Sequence, residues 1–429
     1  MERKITAVLN EWRVSKNRLP LIIQGARQVG KTWSVLDFGR RSFRNILYFN
    51  FESNKELQNI FERDLSPQRI VKELSVIAGE SVFEKDSLIF FDEIQACGRA
   101  LTSLKYFAEE APQYTVIAAG SLSGVALNKG EHSFPVGKVR VVNMYPLDFE
   151  EFLWASGKTD ATEMIRESFE KNRECSLHQT FLEYYRNYLA IGGMPRVTGE
   201  YVSTGDLLLI TIMQKGLNDA YIADMAKYAE PGETVRIMAV YNSLPAQLAK
   251  ENHKFQYKFI KSGARVAAYG SAIDWLKASG IVIACHKLSE ARLPVTSFAD
   301  PASFKLYYSD TGLLCGMAGL SPRLVLSDSY NMSNFKGALA ENYVAVSLNA
   351  AGYTPYYWES EGKAEIDFVI QKDDQVIPIE VKAADNVHSK SLQQYVSRYS
   401  PSVSYRISSK NFGFENNIKS IPLYAVFCI

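Results

Sequence analysis

A glycine-rich segment near the start of the chain has the residues and spacing of a phosphate-binding loop. It matches the pattern G-x-x-x-x-G-K-[ST] at every fixed position, and its residues are Gly25, Ala26, Arg27, Gln28, Val29, Gly30, Lys31 and Thr32. Glycines allow backbone N–H groups to turn toward phosphates, and a helix that follows would direct its positive end at the same anion. In such a loop Lys31 contacts the β and γ phosphates and the Thr32 hydroxyl binds Mg²⁺. The segment therefore predicts a site for ATP and Mg²⁺.

Two carboxylates follow the apolar run at residues 88–91. Asp92 is predicted to hold Mg²⁺, and Glu93 to polarise the attacking water as a general base. An apolar strand can also end in acids that are simply solvated. The phosphate-binding loop upstream favours the catalytic interpretation.

The next apolar run, at residues 115–119, leads to Ser121. Ser121 is a candidate for a residue that senses the γ phosphate or the water, and a simple turn at a strand end is the alternative. Candidates for a cationic finger are Arg99, Lys138 and Arg140, each of which also fits a solvated surface charge. The sequence singles out none of the three.

A second set of polar residues lies near the end of the chain. Asp367 falls in a predicted strand, and Glu380 and Lys382 fall in the next one. Residues two apart on a strand face the same side, so Glu380 and Lys382 point together and Asp367 can join them. This pattern resembles the core of the PD-(D/E)xK nucleases, where two carboxylates hold Mg²⁺ and the lysine positions or activates water. Glu341 matches the auxiliary acid, while alternating charges on a solvated strand face are the alternative.

The elements that must position the first set alternate between strand and helix. Strands are predicted at 21–24, 46–51, 88–91 and 115–119, with helices at 56–76 and 101–109, among others. Strands that alternate with helices predict a parallel sheet covered on both faces, so the fold class is α/β.

The middle of the chain combines helices with a basic, aromatic stretch at 253–258. One helix is predicted to start at Ser243-Leu244-Pro245, a second to span 271–279, and a strand to span 281–286. This arrangement fits a winged helix, in which lysines would contact DNA phosphates. The candidate contacts are Lys250, Lys254, Lys258 and Lys261. A helical bundle with a solvated basic face is the alternative.

The bulk composition limits the classes of function. The 429 residues suffice for two to four domains of about 100–200 residues each, and the net charge of +1 provides no global attraction to nucleic acid. Five dispersed cysteines without a CxxC pair indicate reduced thiols. The sequence shows neither the apolar core of a signal peptide nor a run long enough to span a membrane, so we expect a cytoplasmic protein with no membrane partner.

Taken together, these motifs resemble one family of prokaryotic AAA-type P-loop ATPases whose C-terminal portion is a domain of unknown function. The segments that carry the resemblance lie at 24–32, 91–95, 120–121, 145–152, 192–195, 306–313, 365–368 and 379–382. The resemblance implies an AAA-type core at 1–155, a helical lid at 156–230, a winged-helix-like domain at 231–325 and a nuclease-like domain at 326–429. Gly137-Lys138 stands where the family often has Gly-Arg.

Three functions remain open at this point. The first is an ATPase that couples Mg-ATP turnover to conformational change on DNA. The second is a nucleotide-dependent regulatory switch with a protein partner, in which the nuclease-like domain binds without cutting. The third is a scaffold locked by ATP, against which Glu93 argues because a general base has no use without hydrolysis. Besides ATP and DNA, a second copy of the chain is a candidate partner.

Overall fold

The structure is a computed structural model. It describes residues 1–121, 134–229, 231–250, 253–327, 333–360, 364–383 and 390–429. The chain divides into two compact units. The first comprises residues 2–145 with 278–280, and the second comprises Met1, 146–277 and 281–429.

The described residues of the first unit form a parallel sheet of five strands in the order β2-β3-β4-β1-β5. The strands are β1 (Leu21–Gly25), β2 (Asn45–Asn50), β3 (Ser87–Asp92), β4 (Thr115–Ser121) and β5 (Arg140–Asn143). Every residue of β3 and β4 is buried. Burial on both faces is what a parallel sheet covered by helices requires, and it confirms the predicted α/β core.

The helices of the first unit are α1 (Ile5–Val14), α2 (Lys31–Ser42), α3 (Asn59–Glu62), α4 (Pro67–Ala78) and α5 (Gly98–Glu110), with short 3₁₀ turns at Lys55–Gln58 and Ile94–Ala96. The single helix predicted at 56–76 is wrong, because the chain breaks between α3 and α4. Ser66 adopts an extended conformation with ψ 117°. A residue that precedes proline is disfavoured in the helical region, so Pro67 starts a new helix.

The second unit combines helices with a mixed sheet. Its helices are α6 (Phe149–Ala155), α7 (Thr159–Lys171), α8 (His178–Ile191), α9 (Pro195–Thr204), α10 (Leu207–Tyr228), α11 (Pro231–Leu248), α12 (Val266–Ala278), α13 (Thr311–Met317), α14 (Pro322–Leu326), α15 (Ser333–Ala350) and α16 (Lys390–Tyr399). Its strands are β6 (Val282–Leu288), β7 (Ala299–Tyr308), β8 (Tyr356–Glu359), β9 (Glu365–Lys372), β10 (Gln375–Val381), β11 (Ser404–Ser408), β12 (Gly413–Glu415) and β13 (Ile418–Pro422). Short 3₁₀ turns lie at Tyr257–Phe259, Val295–Phe298 and Leu423–Cys428.

The strands of the second unit form one sheet in the order β12-β13-β11-β10-β9-β8-β6-β7. Strand β6 pairs in parallel with β8, and β9 pairs antiparallel with β10. The strand predicted at 281–286, which corresponds to β6, therefore shares a sheet with the C-terminal strands. The predicted boundary at 325/326 falls inside this unit. The division into four domains stays a prediction.

Helix α11 begins earlier than the sequence suggested. The predicted start at Ser243-Leu244-Pro245 is wrong, since Pro245 lies in the last turns of a helix that begins at Pro231. Proline has no N–H, so the carbonyl of Tyr241 loses its helical donor. The Tyr308 hydroxyl donates to that carbonyl at 2.9 Å. A partner from β7 thus compensates for the proline inside the helix.

Two motifs that are distant in sequence meet inside the second unit. The Asp310 carboxylate accepts from the Gly193 N–H at 2.5 Å and from the Leu313 N–H at 2.9 Å, which also caps α13. A side chain at Gly193 would lie 1.9 Å from the Leu147 carbonyl oxygen, so only glycine fits there. Burial raises the pKa of Asp310 to about 6. The pairing of residues 192–195 with 309–313 is therefore a buried structural junction.

Two further predictions concern the cell compartment. Within the described ranges, no helix combines the length and the apolar character that crossing a bilayer needs. All five cysteines are free, and Cys97, Cys175, Cys285 and Cys315 are buried. The reduced state of these thiols stays a prediction.

The Tyr308–Tyr241 contact predicts a coupling that a double-mutant cycle can measure. Tyr308→Phe leaves the Tyr241 carbonyl buried and unpaired, which we expect to lower the free energy of unfolding by about 1–3 kcal/mol. In a Pro245→Ala background the new N–H can satisfy that carbonyl, so Tyr308→Phe should cost clearly less. Urea unfolding of the four proteins measures both costs. Equal costs in the two backgrounds would contradict this explanation, and Tyr269→Phe serves as the matched control for losing a tyrosine hydroxyl.

Candidate functional site

The carboxyl ends of the central strands in the first unit gather the residues of the predicted nucleotide site. Strand β4 lies between β1 and β3, and Gly25 pairs with Ser121 in the register of β1 and β4. Asp92 ends β3. Parallel strands end at one edge of the sheet, where open α/β proteins bind their ligands. The structure thus brings the loop, Ser121 and Asp92 to a common edge.

The loop between β1 and α2 uses left-handed backbone at two positions. Gln28 has φ 62°, and Gly30 has φ 96° at the N-cap of α2. Gly25 is required for a different reason, because a Cβ there would lie 2.1 Å from the carbonyl oxygen of Met144. The first glycine therefore allows the residue after β5 to approach, and the second turns the chain into the helix.

Lys31 is held above the loop by the loop itself. Its ammonium donates to the carbonyl of Gly25 at 3.0 Å and to that of Ala26 at 2.9 Å. The side chain is buried. A buried ammonium held by neutral carbonyls is a strong donor for an anion, and a phosphate oxygen can replace either carbonyl.

Thr32 and Asp92 share a contact that links α2 to β3. The Thr32 hydroxyl donates to Asp92 Oδ2 at 2.9 Å, and the Tyr48 hydroxyl donates to the same oxygen at 2.9 Å. Burial raises the pKa of Asp92, while these two hydrogen bonds act in the opposite direction. Two hard oxygen atoms this close fit the ligand preference of Mg²⁺.

Glu93 has strained backbone directly after the strand. Its φ of 51° and ψ of 44° lie in the left-handed region, which bulky residues rarely adopt. Gln95 Nε2 donates to Glu93 Oε2 at 2.5 Å. Strain of this kind is retained where the surrounding structure fixes a side chain in a functional direction. The Glu93 carboxylate is thus held by Gln95 at a left-handed residue directly after β3.

Sequence reasoning missed an arginine that braces the loop. The buried Arg3 guanidinium donates to the Val29 carbonyl at 2.8 Å and to the Tyr145 carbonyl at 2.7 Å. It thereby ties the loop to the segment after β5. No local pattern marks Arg3, because both of its partners are distant in the sequence.

The three finger candidates contact groups in their own unit. Arg99 Nε donates to the Phe61 carbonyl at 2.5 Å. Lys138 pairs with Glu109 at 2.9 Å, and Arg140 pairs with Glu11 at 3.4 Å.

The predicted C-terminal residues also meet. The Val381 N–H donates to Asp367 Oδ2 at 2.7 Å, and Lys382 Nζ lies 3.3 Å from Glu380 Oε1. Burial raises the pKa of Asp367, and the nearby Glu341 carboxylate raises it further. Lys382 therefore interacts electrostatically with the carboxylates of Asp367, Glu380 and Glu341.

A lysine that the sequence analysis did not predict lies inside this group. Lys305 is 1% exposed on β7, and its ammonium contacts Glu365 Oε1 at 2.5 Å and Glu341 Oε2 at 3.7 Å. The strand itself was missed, although the aromatic run 304–308 is its visible signal. Across the part of the chain that the structure covers, no three His, Cys, Asp or Glu side chains converge as a metal site.

The basic residues of the middle segment differ in their surroundings. Lys254 donates to Glu359 Oε1 at 2.6 Å, so it is already paired. Lys250 and Lys258 lie 5.1 Å and 5.3 Å from the centre of the Phe259 ring. Lys258 and Lys261 are exposed.

Comparisons with protein families place a known domain on the first unit. Residues 17–153 match the family described as an AAA domain. Residues 182–324 and 336–426 match two domains of unknown function, DUF8612 and DUF4143. The AAA match agrees with the loop geometry and supports a nucleotide-binding AAA domain at residues 17–153. The comparison with curated proteins gave no match.

Several solved structures are distantly similar. The Walker-type ATPase PABY2304 of Pyrococcus abyssi is 15% identical with a TM-score of 0.45, and the alignment covers 74% of this chain and 95% of that one. The Aeropyrum pernix ORC1 protein in complex with DNA is 12% identical with a TM-score of 0.31, over 79% and 91% of the two chains. At these TM-scores the likenesses carry no argument about function.

The Tyr48 contact predicts a change in pH dependence. Tyr48→Phe removes a hydrogen bond that stabilises the ionised Asp92, so the pKa of Asp92 should rise. A carboxylate binds Mg²⁺ in its ionised form. The predicted role of Asp92 as a Mg²⁺ ligand therefore implies that the acid limb of kcat/KM for Mg-ATP moves to higher pH. A pH–rate profile measures the shift, and Tyr114→Phe in the same unit is the control. An unchanged acid limb would show that Tyr48 does not tune this carboxylate.

Proposed function

We propose that the chain hydrolyses Mg-ATP and couples turnover to a conformational change on DNA. The contact between Thr32 and Asp92 carries the ATPase part of this proposal. It joins the phosphate-binding loop to an acid at the end of β3, with Lys31 held above the same loop. Such an arrangement provides donors for phosphate and hard oxygens for a cation together.

Each residue of the site has a proposed role in hydrolysis. Backbone N–H groups of the loop and the Lys31 ammonium bind the phosphates, and Thr32 and Asp92 hold Mg²⁺. When bound, Mg²⁺ neutralises negative charge on the β and γ phosphate oxygens. Glu93 takes a proton from the attacking water, and Gln95 fixes the direction of its carboxylate. Ser121, at the end of β4 between β1 and β3, contacts the γ phosphate or the water.

The DNA part rests on the second unit. Its C-terminal elements follow the order helix, three strands, helix, strand (α15-β8-β9-β10-α16-β11), with Asp367, Glu380 and Lys382 on or next to the central pair. This order supports a nuclease-like fold for residues 326–429. The exposed Lys258 and Lys261 are the proposed phosphate contacts of a winged-helix-like segment at 231–325.

A second candidate is a nucleotide-dependent regulatory switch with a protein partner. Two observations favour it. Lys254 is paired with Glu359, and Lys305 is buried among the C-terminal carboxylates. In this alternative the nuclease-like domain binds without cutting. Both candidates use the same ATPase site, and both would act in the cytoplasm.

Self-association is a further part of the proposal. Arg99, Lys138 and Arg140 each have a partner within the first unit. In ATPases of this class an arginine finger commonly comes in trans and stabilises the transferring phosphate. A second copy of the chain is therefore the proposed source of that cation.

Two substitutions should separate nucleotide binding from hydrolysis. Lys31→Ala removes the phosphate contact and should abolish ATP binding measured by calorimetry. Glu93→Gln should retain ATP binding while the hydrolysis rate falls by about 10²–10⁴-fold, the usual contribution of a general base. Lys72→Ala, an exposed lysine on α4, is the control. Hydrolysis that survives Lys31→Ala would refute the proposed site.

DNA should change the rate of hydrolysis if the first candidate is right. We expect ATP turnover to rise when duplex or branched DNA is added, and the rise to shrink in a Lys258→Ala/Lys261→Ala variant. Because two phosphate contacts are removed, the slope of log K for DNA binding against log salt concentration should become shallower by about two. Lys277→Ala is the matched control on α12. If DNA alters neither the ATPase rate nor electrophoretic mobility, the switch with a protein partner is supported instead.

A further inference from the structure

Lys305 is a fully buried cation on β7. At 1% exposure its ammonium lies 2.5 Å from Glu365 Oε1, 3.7 Å from Glu341 Oε2 and 5.1 Å from the centre of the Tyr357 ring. A buried lysine is costly unless carboxylates and hydrogen bonds compensate its charge. Lys305 therefore belongs to a compensated arrangement of charges.

The carboxylates around Lys305 are largely committed to partners inside the protein. Glu341 Oε2 also accepts from His253 Nδ1 at 2.7 Å and from the Tyr307 hydroxyl at 3.1 Å. Burial raises the pKa of Glu341, but the positive charge of Lys305 and the hydrogen bonds from His253 and Tyr307 together outweigh it and keep this pKa low. Glu341 is thus an ionised carboxylate whose counter-ion is supplied by the chain.

The remaining acids of the cluster are also engaged. Asp367 Oδ2 accepts the Val381 N–H, and Glu380 Oε1 pairs with Lys382. Glu380 Oε2 is buried and makes no hydrogen bond in the part of the chain that the structure describes. A divalent ion needs several carboxylate oxygens that converge without a competing cation. Two cations of the chain already compete for these carboxylates, because Lys305 contacts Glu341 and Lys382 contacts Glu380.

We propose that Lys305 is a resident cation that takes the place of a divalent metal in the C-terminal carboxylate cluster. The cluster keeps the acids of a nuclease-like site, but its positive charge is built in, so the fold takes up no Mg²⁺ there and cuts no phosphodiester bond. The nuclease-like domain is then a module for binding. This inference goes beyond the ATPase proposal and does not depend on nucleotide binding.

A Mn²⁺ titration of the full chain without nucleotide tests the proposal directly. Free Mn²⁺ is followed by electron paramagnetic resonance for the wild-type protein and for an Asp367→Asn/Glu380→Gln variant. We expect the two binding curves to coincide, because neither acid holds metal in the wild type. A Mn²⁺ site that the wild type has and the double variant lacks would overturn the proposal.

Removing the charge of Lys305 should open the site. Lys305→Met has a side chain of similar length and no charge, and it should gain one Mn²⁺ site. We expect this site to bind Mn²⁺ at least about tenfold more tightly than the same position in the wild type, because one adjacent positive charge is lost. Lys305→Arg keeps the charge and should gain none. The gained site should disappear when Asp367→Asn is added to Lys305→Met. A folded Lys305→Met protein that gains no Mn²⁺ would refute the role given to this lysine.

A charge-balanced variant covers the case in which Lys305→Met does not fold. Lys305→Met/Glu365→Gln removes the cation and one of its carboxylate partners together, and circular dichroism checks its folding. It retains Glu341, Asp367 and Glu380, so it should also gain a Mn²⁺ site.

A plasmid assay tests the absence of cleavage. Supercoiled plasmid is incubated with the wild type and Mg²⁺ or Mn²⁺, and nicking that Asp367→Asn abolishes would contradict the proposal. Intact plasmid is the expected result.

Discussion

The hydrogen bond from Thr32 to Asp92 is the interaction on which the nucleotide site depends. It requires that β3 ends and α2 begins at the same edge of the sheet, where β4 lies between β3 and β1. Gly25 has a separate role, because a side chain there would collide with the Met144 carbonyl after β5. The loop and the acid meet because the parallel strands β1 and β3 end at one edge of the sheet.

Buried charge is treated differently in the two units. In the first unit, Asp92 is buried beside neutral hydroxyl donors, so it can share a cation that comes with the nucleotide. In the second unit, Lys305 provides a cation to Glu341 and Glu365 from within the chain. A buried carboxylate needs a positive partner in both cases. In our two proposals the source of that partner differs, because the first site takes its cation with the nucleotide and the C-terminal cluster has its own.

The sequence predicted the elements of the first unit better than their exact limits. Hydrophobic runs identified β3 and β4 because both strands are buried on both faces. The predicted helix start at Ser243-Leu244-Pro245 was wrong, because the hydrogen bond from Tyr308 allows a proline inside the helix. Strand β7 was missed because polar residues interrupt its first half. Local propensity does not include partners that lie far away in the chain.

What the sequence determined by itself was the set of side chains that can do chemistry at fixed local spacing. The phosphate-binding loop is such a case, since Lys31 and Thr32 act through backbone that is contiguous with them. Tertiary structure alone decided which distant groups restrain these residues, as with Arg3 at the Val29 carbonyl. It also decided that Lys305 lies among the C-terminal acids. Charge compensation depends on the distance between groups in space. The order of residues in the sequence does not give the distance between groups on strands that lie far apart in the chain.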